Sequence, residues 1–365
     1  MKILTLVILI CLSILSRGNA TDEAPYLSRE PAGKTAAEIF GECLVSTNPV
    51  ALFMREGAAS RTSFPEMRRA VEMLGASQNE RAKDVLYELF VSLPPVEAGT
   101  DVGQTFEVLV LTQLLGKLDV PQKKVLLERV FKQEIDALKT TFRNQGTTLY
   151  YPESLLMLAI TNMEKEQLIG EMQQQFEAAA SDPILGGAAR IAFRKALVRY
   201  ELINERKLSV GGVISSLVQE LKPKPIRSVP YAVYNDPDAY RKLLTEDANY
   251  RRESQEYVLW RESPQGIRNM ALEQLLSEYG EISIAHLLDS VDKQVYDRTK
   301  SEYLVWLSSE ILKNATRKKA LSDEKQRFYR QKIYEHVLSM DNSVYGGYFQ
   351  RICSNLLFEN PKLLR

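Results

Sequence analysis

The sequence predicts an all-α protein made of short antiparallel helix pairs, and three observations carry that expectation. Apolar residues recur at three and four positions, alternating runs are almost absent, and prolines preceded by acid or hydroxyl residues cut the chain into segments of helical length.

The first element is not part of the fold. Met1-Lys2 is followed by an apolar run from Ile3 to Leu15 and then by Ser16-Arg17-Gly18-Asn19-Ala20, the layout of a signal peptide over residues 1–20. The run is shorter than the roughly 18 to 20 apolar residues that cross a bilayer. Cys11 follows Ile10 where a lipidation signal has a small residue, so cleavage after Ala20 is expected instead. The expected location is secreted or periplasmic, with no integral membrane segment after cleavage. Residues 21–33 are polar, aperiodic and hold two prolines, and they read as a flexible leader.

Residues 34–221 form the first helical repeat region. Ala37, Ile39, Phe40, Cys43 and Leu44 share one helical face, as do Val85, Leu86, Leu89 and Phe90, and again Leu126, Leu127, Val130, Phe131, Ile135 and Leu138. Breaks are expected near Pro49, Pro65, Gly75, Pro94-Pro95, Pro121, Pro152 and Pro183. A side-chain oxygen before proline caps the free N–H groups of the helix that follows. Lys222-Pro223-Lys224-Pro225 and Pro230-Tyr231 favour extended backbone, which sets a linker at 222–236 and a second helical repeat region at 237–365.

Within that second region, Ser263-Pro264-Gln265-Gly266-Ile267-Arg268-Asn269-Met270-Ala271-Leu272, continuing through Leu275-Leu276 to Gly280, resembles a HEAT-type repeat. Echoes occur at Phe64-Pro65 to Gly75 and at Asp182-Pro183 with Ala189-Arg190-Ile191-Ala192 to Leu197. Their spacing is irregular where a clean array keeps a fixed period. The resemblance implies a HEAT-like α-α superhelix or solenoid. A closed α/α barrel is the alternative, since it too is made of helix pairs.

Charge gives little direction. The chain holds 47 basic and 47 acidic side chains, and signal cleavage removes only Lys2 and Arg17. That balance provides no electrostatic basis for a nucleic-acid partner. Cleavage also removes Cys11 and leaves Cys43 and Cys353, which either form a disulfide in an oxidising compartment or are two buried thiols.

Chemistry-bearing motifs are sparse. His286, Asp289 and Ser290 supply the residue types of a nucleophilic triad, yet three groups one turn apart on a straight helix cannot converge on one acyl carbon. The sequence has no His-x-x-x-His, Cys-x-x-Cys or His-Glu-x-x-His spacing for zinc, and Gly186-Gly187 and Gly211-Gly212 lack the lysine of a phosphate loop. No catalytic residue, metal ligand or cofactor is assigned.

One segment differs from its surroundings. Tyr231, Tyr234, Tyr240, Tyr250, Tyr257 and Trp260 interleave with Arg227, Arg241, Arg251, Arg252 and Arg261. Flat rings and guanidinium planes are enriched where proteins grip partners, so Tyr231, Tyr234, Tyr250, Arg251, Arg252 and Trp260 form a candidate ligand groove. The opposing expectation is that the rings pack between helix layers and the arginines are solvated. The functional expectation is a non-enzymatic scaffold binding another protein or an extended ligand, with a glycan-directed α/α-barrel enzyme as the alternative.

Overall fold

The periodicity read from the sequence resolves into helices. The structure, a computed structural model, describes residues 34–53, 63–92, 101–145, 155–224, 238, 241–242 and 246–339. Among the described residues every regular element is helical and there is no strand. The expected signal peptide and leader, most of the linker, Tyr231, Tyr234, Tyr240 and Cys353 lie outside the described residues.

Contacts divide the chain into two compact units, residues 1–134 with 151–159, and residues 135–150 with 160–365. The first holds α1 (Ala36–Val45), α2 (Ser63–Ala76), α3 (Glu80–Ser92) and α4 (Asp101–Leu115). Helix α1 packs on α2 and α3, and α4 covers α2 and α3. Ile39, Val71, Leu74, Leu86 and Leu111 are fully enclosed in this unit. Cys43 is a buried thiol on α1, and burial pushes its pKa up to about 12. Helices α5 (Val120–Gln145) and α6 (Leu155–Lys165) each run across the division between units.

The second unit holds α7 (Gln173–Ser181), α8 (Gly186–Tyr200), a π turn (Glu201–Glu205) and α9 (Val210–Glu220). It continues through α10 (Ala248–Glu262), α11 (Pro264–Tyr279), α12 (Glu281–Asp292), α13 (Arg298–Arg317) and α14 (Asp323–Ser339). Helix α8 packs on α7 and α11, and α9, which precedes the expected linker, packs on α11 and α12, which follow it. From α11 to α14 each helix packs on the next. The HEAT-like run forms α11 and buries Ile267, Ala271, Leu272, Leu275 and Leu276, each larger side chain contributing roughly 1.5–3 kcal/mol.

Helix starts follow the capping chemistry expected of acid and hydroxyl residues. Thr35 and Glu38 form a capping box on α1. Asp119 accepts from the Gln122 N–H at 2.8 Å, Asp182 from the Ile184 N–H at 3.0 Å and Ser263 from the Gly266 N–H at 3.0 Å. Several helix ends use a different device. Gln167, Lys207, Gln294 and Lys319 all stand at φ between 51° and 58°, in the left-handed region. At each, the next N–H reaches back to a carbonyl inside the helix: Leu168 to Met163, Leu208 to Leu202, Val295 to Ser290 and Ala320 to Ala315.

Candidate functional site

Helix α10 carries the described part of the sequence-predicted groove. None of its described residues is buried, and Arg251 and Arg252 are exposed. Tyr250 lies on this helix by backbone, with its side chain outside the described residues. Seven residues is nearly two full turns, so Arg251 aligns with Val258 and Arg252 with Leu259. Val258 is 48% exposed and Leu259 72%. Tyr257 and Trp260 are half-buried, their ring centroids 6.0 Å apart. The exposed apolar surface in line with the arginines thus comes from two aliphatic residues that sequence reasoning passed over, and a helical projection of residues 248–262 would have shown the alignment. Arg252 lies 3.9 Å from Glu256 one turn on, and Arg261 3.0 Å from Glu262, so the stripe is mixed in charge.

The histidines have ordinary surroundings. The Ser290 hydroxyl donates to the His286 backbone carbonyl at 2.8 Å, and Asp289 pairs with Lys293 at 2.7 Å. Both groups that share a helix with His286 are therefore engaged elsewhere. The ring instead approaches Ser215 of α9, with Oγ and Nε2 3.4 Å apart, while the Ser215 hydroxyl also donates to the Gly211 carbonyl at 2.9 Å. His336 on α14 meets Asp292 of α12 at 3.1 Å.

Buried carboxylates are more unusual. Glu107 on α4 is 7% exposed, and burial, reinforced by the Glu134 carboxylate, pushes its pKa up to about 7. Burial raises Glu134 on α5 as well. In the second unit Glu164 pairs with Arg199 of α8, which also pairs with Glu278 of α11. Among the described residues no group of three or more His, Cys, Asp or Glu side chains could hold a metal ion, and no helix is long and apolar enough to cross a membrane.

A polar cluster absent from the sequence reading lies where the chain leaves α9. The Lys224 ammonium stands 3.6 Å from the centre of the Trp306 ring and 3.7 Å from Glu273 Oε1. Glu273 Oε1 also accepts from the Tyr303 hydroxyl and, at 3.4 Å, from Asn269 Nδ2. Asn269 Nδ2 donates to the Tyr303 oxygen at 2.9 Å, and Asn269 Oδ1 accepts from the Lys222 backbone N–H at 2.9 Å. The Tyr303 and Trp306 rings stack 5.6 Å apart and 12° from parallel. Burial holds the Lys224 pKa below the ordinary lysine value, against the pull of Glu273 and Glu310 in the other direction.

No protein-family model, curated protein or solved structure matches this chain.

Proposed function

We propose that the chain is an exported, non-enzymatic scaffold whose helix pairs stack into a HEAT-like superhelix and bind another protein or an extended ligand. The observation that supports this reading is the exposed stripe of α10, where Arg251 and Arg252 share a helical face with Val258 and Leu259 about two turns further on. Arginine is enriched at binding hot spots, and an apolar centre with a polar rim is the usual anatomy of an interface. Cross-linking in the host compartment identifies the partner, and titration with purified chain measures it. Arg252→Ala combined with Leu259→Ala lowers affinity by about tenfold or more, the equivalent of ~1.4 kcal/mol. Unchanged affinity removes α10 from the binding surface. Recovery of the chain only in the cytoplasm, with Met1 intact, removes the export reading.

A second reading rests on Glu107. A carboxyl group whose pKa is raised to about 7 by burial and a neighbouring acid can serve as a general acid, the kind of group glycosidic cleavage uses, and the accompanying proposal is a closed α/α barrel acting on polysaccharide or cell-wall glycan. Turnover on a glycan panel that is lost in Glu107→Gln favours this reading. A panel without turnover favours the scaffold.

A further inference from the structure

The walls around the Lys224 ammonium are built independently of it. Glu273 is fixed by Tyr303 and Asn269, and Tyr303 in turn backs the Trp306 ring. An indole face with carboxylates beside it is the environment that recognises organic ammonium groups, because the ring quadrupole and the negative charges both attract a desolvated cation. We infer that Trp306, Glu273 and Glu310 form an ammonium-binding site, filled from within the chain by Lys224, which a Lys-Pro peptide carrying an N-trimethylated lysine enters in its place.

Three features distinguish a displaceable occupant from a permanent clasp. The Lys224 side chain is only 12% exposed, so a strongly hydrated primary ammonium has surrendered most of its water. Its pKa falls below the usual lysine value although the charges of Glu273, 3.7 Å away, and of Glu310, one turn beyond Trp306 on α13, pull it upward, so burial costs its charge more than those partners return. A trimethylammonium group gives up less hydration for the same ring contact. Finally, Lys224 follows Lys222 and Pro223, with the Lys222 N–H held on Asn269 at 2.9 Å, and the Lys-Pro-Lys-Pro sequence favours extended backbone, so a separate peptide of the same pattern presents its lysine in the same way. The site does not depend on the α10 surface, so either can fail without the other.

The chain contains two tryptophans, so Trp260→Phe leaves Trp306 as the sole indole reporter. In that background a synthetic Lys-Pro-Lys-Pro peptide, trimethylated on its second lysine, is titrated against the otherwise unchanged chain and against Lys224→Ala. Removing the internal occupant tightens binding by about tenfold or more, and adding Glu273→Gln with Glu310→Gln abolishes it. Equal affinity with and without Lys224, or binding indifferent to the two acids, overturns the site. Should Lys224→Ala fail to fold, the unsubstituted protein provides the test. The acetylation rate of Lys224, followed by peptide mass, rises several-fold in tetramethylammonium chloride relative to sodium chloride at equal ionic strength. An unchanged rate overturns the site equally.

Discussion

A side chain at Gly266 would overlap the Trp260 carbonyl oxygen, so this glycine is what allows the end of α10 to lie against the first turn of α11. The same carbonyl accepts from the Ser263 N–H at 3.0 Å and from the Ser263 hydroxyl at 2.6 Å, which fixes the corner from both sides. Backbone is the obstacle, and backbone cannot swing aside as a flexible side chain can. Gly266→Ala is therefore expected to destabilise the second unit by about 1–3 kcal/mol and to raise amide exchange along α10. Denaturant unfolding followed by helical circular dichroism, with exchange mapped by mass, measures both. A melt identical to that of the parent would show that the corner opens without cost.

Gln294 and Lys319 stand in left-handed backbone at the ends of α12 and α13, where a Cβ is unfavourable. Replacing either by glycine relieves that strain and adds unfolded-state entropy, two effects of opposite sign. Because both residues are exposed and pack little, strain relief dominates, and each substitution stabilises by roughly 0.5 kcal/mol. The double substitution raises the melting temperature by a degree or more, and a lowered one would place the strain elsewhere.

Glu107 makes stability depend on pH with an unusual sign. Its folded pKa of about 7 lies above the ordinary 4.5, so between those values the native state holds a proton that the unfolded chain releases. Stability contributed by this group is present at low pH and lost as pH rises from about 4.5 through 7. Glu107→Gln removes the cost of the buried charge. It is expected to gain on the order of 1–3 kcal/mol at pH 8 and close to nothing at pH 4. Equal effects at the two pH values would mean that Glu107 acts through packing alone.

These positions differ in how much of them the sequence reveals. The start of α11 is legible because Ser263 and Pro264 state a cap and a first turn in adjacent letters, and Asp182-Pro183 does the same before α8. The stops at Gln167, Lys207, Gln294 and Lys319 are silent, since lysine and glutamine are common inside helices and only the backbone shows that they leave it. On α10, counting aromatics drew attention to Trp260, whereas seven-residue spacing aligns Arg252 with Leu259. The Lys224 cluster gathers residues 222–224, 269–273 and 303–310 from three stretches of chain, and no local spacing announces a site assembled by tertiary packing.

Arg190 offers the strictest test of what holds the second unit together. Its guanidinium is almost wholly buried and donates to the Ala180 carbonyl at the end of α7 and to the Glu262 carbonyl at the end of α10, each at 3.2 Å. Both are carbonyls that a helix cannot satisfy internally, and one cation therefore closes two helix ends. The Glu262 carboxylate also lies 3.6 Å away, but that side chain is 42% exposed and its pairing is weakened by solvent. Arg190→Met leaves the buried Ala180 carbonyl and the part-buried Glu262 carbonyl without this donor and is expected to cost about 2–4 kcal/mol. Glu262→Gln, which keeps the backbone bond and removes only the charge, is expected to cost less than about 1 kcal/mol. Equal losses in chemical denaturation would assign the stability to the ion pair, and a large loss confined to Arg190→Met assigns it to the carbonyls.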